Sequence, residues 1–124
     1  MCRCAEEAQT IPTPLILRYQ TGDYNCLHQV LYGEVWFPFQ VIFGLSEEGQ
    51  YYEGGQLVLT KQRPCLRTIP YVISIPKGTA VITTTNFHPE NNTKGYYRAP
   101  MRHGVAEVRS GERFTLGIIF HNAR

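Results

Sequence analysis

Short apolar and β-branched runs recur along the whole chain: Leu15–Tyr19, Leu27–Leu31, Phe37–Leu45, Gln56–Thr60, Tyr71–Ile75, Ala80–Thr85, Met101–Val108 and Phe114–Phe120. Turn formers separate them, at Thr21-Gly22-Asp23, Glu48-Gly49, Gly54-Gly55, Lys77-Gly78, Asn91-Asn92 and Ser110-Gly111. This punctuation predicts an all-β sandwich or barrel of about eight strands with little helix. Alternation adds detail at the C-terminal end. Phe114, Leu116, Ile118 and Phe120 share one face, and Arg113, Thr115, Gly117 and Ile119 share the other. A strand apolar on nearly both faces belongs inside a two-layer protein. Pro38, Pro70 and Pro76 fall near strand ends, where a missing N–H is tolerated. The polar stretch Asn86–Tyr97 reads as a loop, and Ala5–Gln9 is the one helix candidate, too short to stand alone.

The chain of 124 residues fits one domain, with residues 1–14 as an N-terminal tail and 15–124 as the folded unit. Hydrophobic residues at 43% and charged residues at 18% exclude a disordered composition. A net charge of +2 neither demands nor excludes nucleic acid. The first ten residues carry two glutamates and no apolar core, and no run approaches membrane-helix length, so a cytoplasmic protein without membrane association is expected. Cys2, Cys4, Cys26 and Cys65 are irregularly spaced and read as free thiols, because no second pair completes a zinc set.

The candidate chemistry lies in His28, His103 and Arg113. On a strand, residues two apart share a face, so His28 and Val30 look into one space and Gln29 looks away. A non-heme Fe(II) oxygenase site uses a histidine and a carboxylate in that spacing and a second histidine from a distant strand. His103 is the candidate for the distant ligand. The carboxylate position holds Val30. Arg113 suits a second role. Its planar fork matches a buried carboxylate, such as the far end of 2-oxoglutarate, with Thr115 on the same face as a hydroxyl donor.

Several separated segments resemble one family. They are Arg18-Tyr19-Gln20-Thr21-Gly22-Asp23-Tyr24-Asn25-Cys26-Leu27-His28-Gln29, Tyr52-Glu53-Gly54-Gly55-Gln56-Leu57-Val58-Leu59-Thr60, Arg102-His103-Gly104-Val105 and Ser110-Gly111-Glu112-Arg113-Phe114-Thr115-Leu116-Gly117-Ile118-Ile119-Phe120-His121. Together they resemble the Fe(II)/2-oxoglutarate-dependent dioxygenases, nearest the bacterial branch described as acting oxidatively on alkylated, damaged DNA. The resemblance implies a double-stranded β-helix, a jelly roll related to the cupins. It implies His28 and His103 as iron ligands, Arg113 gripping 2-oxoglutarate, and Tyr19 beside that cosubstrate. It also implies an aspartate where Val30 stands, so the metal site is expected to be impaired. Related enzymes brace the larger sheet with helices before the barrel. This chain begins almost at the first strand, which predicts an exposed apolar face and either self-association, a homodimer being the simplest form, or modest stability.

Other residues carry plainer expectations. His88 and His121 are not expected to be ligands. Gly54-Gly55 reads as a turn needing positive φ. Trp36 and Phe37 read as core or rim packing. Glu34, carried outward by the turn at Gly33, is not expected to replace the missing carboxylate. Lys61, Arg63, Arg67, Lys94, Arg98 and Arg102 read as solvated surface that would track phosphates only if they shared a face. Tyr51, Tyr52, Tyr96 and Tyr97 suit either base stacking or a jelly-roll rim. Three functions remain open on the sequence: an oxygenase, a degenerate binding or scaffold domain that keeps the barrel but not the metal, and halogenase-like chemistry. Valine's methyl groups would crowd a halide, which disfavours the last.

Overall fold

A computed structural model describes residues 8–30 and 33–123. Cys2, Cys4, Leu31 and most of the candidate helix Ala5–Gln9 lie outside the described residues. Among the described residues, ten strands form: β1 (Leu15–Gln20), β2 (Asn25–His28), β3 (Phe39–Gly44), β4 (Tyr52–Gly54), β5 (Leu57–Lys61), β6 (Ile69–Ile73), β7 (Ala80–Thr84), β8 (Phe87–Asn92), β9 (Gly95–Val105) and β10 (Val108–Ile119).

The strands make two antiparallel sheets. One runs β1-β10-β3-β7, with β4 pairing β10; the other runs β2-β9-β5-β6, with β8 pairing β9. Strands β1, β3, β7 and β10 of the first sheet alternate along the chain with β2, β5/β6 and β9 of the second, which is the winding of a jelly roll. The all-β expectation holds, with two more strands than expected.

Both additions have a local cause. Strand β4 is three residues long, below what a hydrophobic run can signal. The stretch Asn86–Tyr97, expected as a loop, is instead strand β8 and the start of β9, paired from Phe87↔Pro100 to Asn92↔Gly95. Much of this hairpin is exposed, so no apolar alternation marks it. The chain reverses at Thr93-Lys94, one step beyond the Asn91-Asn92 signal.

The apolar core splits in two. Leu57, Leu59, Ile75 and Met101 form one cluster, joined by Ile42, Ile73 and Val81. Tyr19, Tyr52 and Val108 form the other, flanked by Val105. The outer face of the β1-β10-β3-β7 sheet is apolar and open. Ile16 on β1 and Ile82 on β7 are 70% and 71% exposed, and Phe39 and Phe120 are exposed too.

Before β1, the chain is stitched to the barrel. The buried Gln9 amide donates to the carbonyls of Val35 and Asn122 and accepts from the Val35 N–H. Thr13 donates its hydroxyl to the His121 carbonyl at 2.7 Å. The Val35 bonds hold the segment that leads into β3. Among the described residues, no helix is long and apolar enough to cross a membrane.

Candidate functional site

A cavity of about 350 Å³ lies between the sheets. Its lining includes Tyr19, Asn25, His28, Val30, Gln40, His103, Arg113 and Thr115. The residues singled out from the sequence therefore meet in one place. Strand pairing explains the meeting. Register places His28 on β2 directly opposite His103 on β9, and Tyr19 on β1 directly opposite Arg113 on β10.

The imidazole rings of His28 and His103 have centroids 4.3 Å apart, tilted by 54°. The Nδ1 of His28 lies 2.7 Å from the Cys26 carbonyl, an acceptor only. That carbonyl therefore holds the proton on Nδ1 and leaves Nε2 as the lone-pair nitrogen. His103 is buried, and burial, with the neighbouring His28 adding to it, pushes its pKa down to about 4. At neutral pH its neutral form, and with it a free lone pair, persists. The Gln40 amide, also buried, lies 3.3 and 3.4 Å from the two ring nitrogens of His103. Nearly equal distances to both nitrogens place it over the ring rather than in line with either one. No sequence signal marks Gln40, since a glutamine on a strand is ordinarily solvent-facing.

Val30 follows β2 and is 3% exposed, with its N–H donated to the Thr85 carbonyl at 3.1 Å. It lines the cavity with His28, while Gln29 turns away and donates to the Asn86 carbonyl. The alternation read from sequence is therefore kept past the end of the strand. Glu34 is exposed, as expected from the turn at Gly33. Among the described residues, no group of three His, Cys, Asp or Glu side chains could hold a metal ion. The donor set is two imidazoles beside a hydrocarbon wall, which does not fit a three-ligand iron site.

Arg113 is 2% exposed, and its guanidinium lies 5.5 Å from the Tyr19 ring centroid and 6.0 Å from that of Tyr52. Cation–π contact offsets part of its desolvation. Its Nη1 is buried with no hydrogen-bond partner. A buried charged donor left unpaired is costly and is resolved by an anion. Thr115, also buried, shares the cavity, and Asn25 donates to the Tyr19 hydroxyl at 3.4 Å. Tyr52 is thus a core residue under the guanidinium and is not available as a stacking side chain. The Gly54-Gly55 pair has the positive φ expected of it.

The remaining histidines stand apart from this cavity. His88 pairs with Glu90 at 3.2 Å. His121 is buried and accepts the Phe37 N–H on Nδ1, and burial lowers its pKa. Trp36 and Phe37 are partly exposed and make edge contacts with Phe87 and with Phe39 and Phe120, respectively, which is rim packing.

Comparison with known proteins follows the same lines. Residues 1–123 match the model of a family described as "Oxygenase, catalysing oxidative methylation of damaged DNA". Two uncharacterized proteins from Mycobacterium tuberculosis strains are 41% identical over 99% of this chain. The chain spans about half the length of these relatives, 53% of each. A crystal structure of a 2OG-Fe(II) oxygenase-family oxidoreductase from Burkholderia pseudomallei superposes with a TM-score of 0.61 at 23% identity, covering 89% of this chain and 43% of that one. A Pseudomonas putida prolyl-4-hydroxylase superposes with a TM-score of 0.61 at 17% identity, covering 90% and 52%. At these identities the two structures speak to the fold.

Proposed function

Because the chain belongs to the family of oxygenases described as acting on damaged DNA, we propose that it is a 2-oxoglutarate-binding domain of the 2OG-Fe(II) oxygenase type with an impaired metal site. Its reaction class is the oxidative dealkylation of damaged DNA. The observation that carries this reading is the Arg113 guanidinium, buried and with Nη1 unpaired, in the same cavity as His28 and His103. That orphaned donor fits the far carboxylate of a 2-oxo dicarboxylic acid, which would restore the missing partner through a two-pronged hydrogen bond. Tyr19 and Tyr52 hold the guanidinium in place, and Thr115 stands in reach of the same ligand as a hydroxyl donor.

Iron fits less well. Among the described residues, His28 and His103 would be its only side-chain ligands, and Val30 offers no oxygen. Changes to groups that merely orient metal ligands cost about 10–100-fold in affinity, so losing a directly bound carboxylate costs at least that much. The native chain is therefore expected to hold a divalent metal weakly and the cosubstrate through Arg113 alone. Calorimetric titration of 2-oxoglutarate into native protein and Arg113→Met, each with chelator, tests this. Binding that is unchanged by the substitution sinks the reading.

A second reading is favoured by Val30 itself: a binding or scaffold domain that keeps the barrel and has given up turnover. The two separate on one measurement. Succinate formed from 2-oxoglutarate by the native chain at saturating Fe(II) supports a working oxygenase. None from the native chain, with activity in Val30→Asp, supports the scaffold.

A further inference from the structure

Of the seven cations that the sequence scatters from Lys61 to Arg102, the fold sorts two onto one outward face. Lys61 turns inward to Glu90 at 2.5 Å, and Arg63 acts on the same carboxylate. On β9, the buried residues Ala99, Met101 and His103 face the barrel, so Tyr96, Arg98, Pro100 and Arg102 face out. Arg98 and Arg102 are exposed and Tyr96 is 80% exposed. Strand rise puts Tyr96 about 7 Å from Arg98, and Arg98 about 14 Å from Arg102. Lys94 sits at the hairpin turn, and Arg67 precedes Thr68, which lines a small depression with Arg102, Thr60, Pro100 and Leu27.

The outward neighbours are neutral. They are Phe87, Pro89 and Asn91 on β8, Val58 and Thr60 on β5, and Pro70 and Val72 on β6. No carboxylate stands among these outward positions. Phe87 is paired with Pro100, between the two arginines, and carries Trp36 edge-on with centroids 6.5 Å apart. Cations in a row, no acid among them, and exposed aromatic rings at either side make a surface complementary to a polyanion with flat faces.

We infer that this outer face of the β2-β9-β5-β6 sheet is a docking surface for a single-stranded nucleic-acid segment. Arg98 and Arg102 contact phosphates, and Tyr96 and Trp36 stack bases. The inference rests on the DNA-directed reading above and adds to it the face on which the strand lies. It also explains why arginines stand in a row on an otherwise sparsely charged sheet.

The test uses the native chain, Arg98→Glu/Arg102→Glu, and Lys77→Glu/Arg109→Glu, a control of equal charge change at exposed sites off this face. Fluorescence anisotropy of a labelled oligothymidine is measured across salt concentrations, and Trp36, the only tryptophan, reports stacking by quenching. Two phosphate contacts predict a slope of log affinity against log salt of about −1.4. The face variant is expected to bind at least ~10-fold more weakly, with the slope reduced by about 1.4, while the control binds as the native chain does. Equal losses in both variants, or none in the face variant, overturn the docking face and leave the DNA-directed reading standing. Absence of any binding at low salt overturns both. 2-Oxoglutarate titration of the same three proteins reports separately on the Arg113 cavity and is expected to be unchanged.

Discussion

Replacing Val30 by aspartate is the sharpest test of the cavity, because the perturbation is small in shape and large in chemistry. Val30 is 3% exposed and its backbone is tied to Thr85, so an aspartate there keeps its aim. Without metal, a buried carboxylate with incomplete partners costs about 1–3 kcal/mol. At about 2.1 cal/mol/K per residue, unfolding entropy for a chain of 124 residues makes 1 kcal/mol worth about 4 °C in Tm. Val30→Asp in chelator should therefore melt about 4–12 °C below the native chain. Manganese or cobalt at about 100 times its Kd returns about 2.7 kcal/mol, or about 10 °C. If the native site is about 100-fold weaker, the same concentration equals its Kd and returns only about 0.4 kcal/mol, under 2 °C. Thermal melting by circular dichroism, with and without metal, reads all three shifts. An equal metal shift in the native chain, or none in a folded Val30→Asp, would refute the placement of His28, Val30 and His103 around one ion.

Three further outcomes are expected. Arg113→Met should lose 2-oxoglutarate binding by about 30-fold or more, on the order of 2 kcal/mol for a buried charged hydrogen bond, while the ligand-free protein melts no lower than native; calorimetry and melting check the pair. Metal-free stability should fall on acidification. The pKa of His103 is depressed from 6.5 to about 4, so the unfolded chain takes up a proton that the fold refuses, and about 3 kcal/mol is lost as pH drops from 6.5 towards 4. Denaturant titrations at several pH values should show that slope flattened in His103→Phe. Finally, sedimentation velocity should show concentration-dependent self-association of the native chain through the open face bearing Ile16 and Ile82, reversed by Ile16→Lys/Ile82→Lys; a native monomer at all concentrations would remove the basis for it.

Much of this architecture is readable from the residues alone. Strand β10 is the clearest case, since Arg113, Thr115, Gly117 and Ile119 line the cavity in the alternation their spacing predicts. His28 and His103 are separable from His88 and His121 by their flanking segments. What escapes has physical reasons. The β8-β9 hairpin is largely solvated, so burial leaves no apolar period in it. Strand β4 owes its existence to pairing with β10 rather than to its own three residues. Gln40 over His103 and Tyr52 under Arg113 are contacts between strands far apart in sequence; the packing of the two sheets makes the first, and the β4-β10 register makes the second. The sorting of Lys61 from Arg98 and Arg102 likewise depends on strand parity, which needs a known strand boundary.

The glycine pair at Gly54-Gly55 carries one more implication. A Cβ at Gly55 would come within 2.9 Å of both the Arg113 Cδ and the Val108 Cγ2. The Arg113 side chain thus rests its Cδ against a bare stretch of backbone, and its height in the barrel is set by a missing methyl. Gly55→Ala would lift the arginine and shorten the room left for whatever anion it grips. The length of acid this barrel can accommodate is accordingly written in a residue that never touches it.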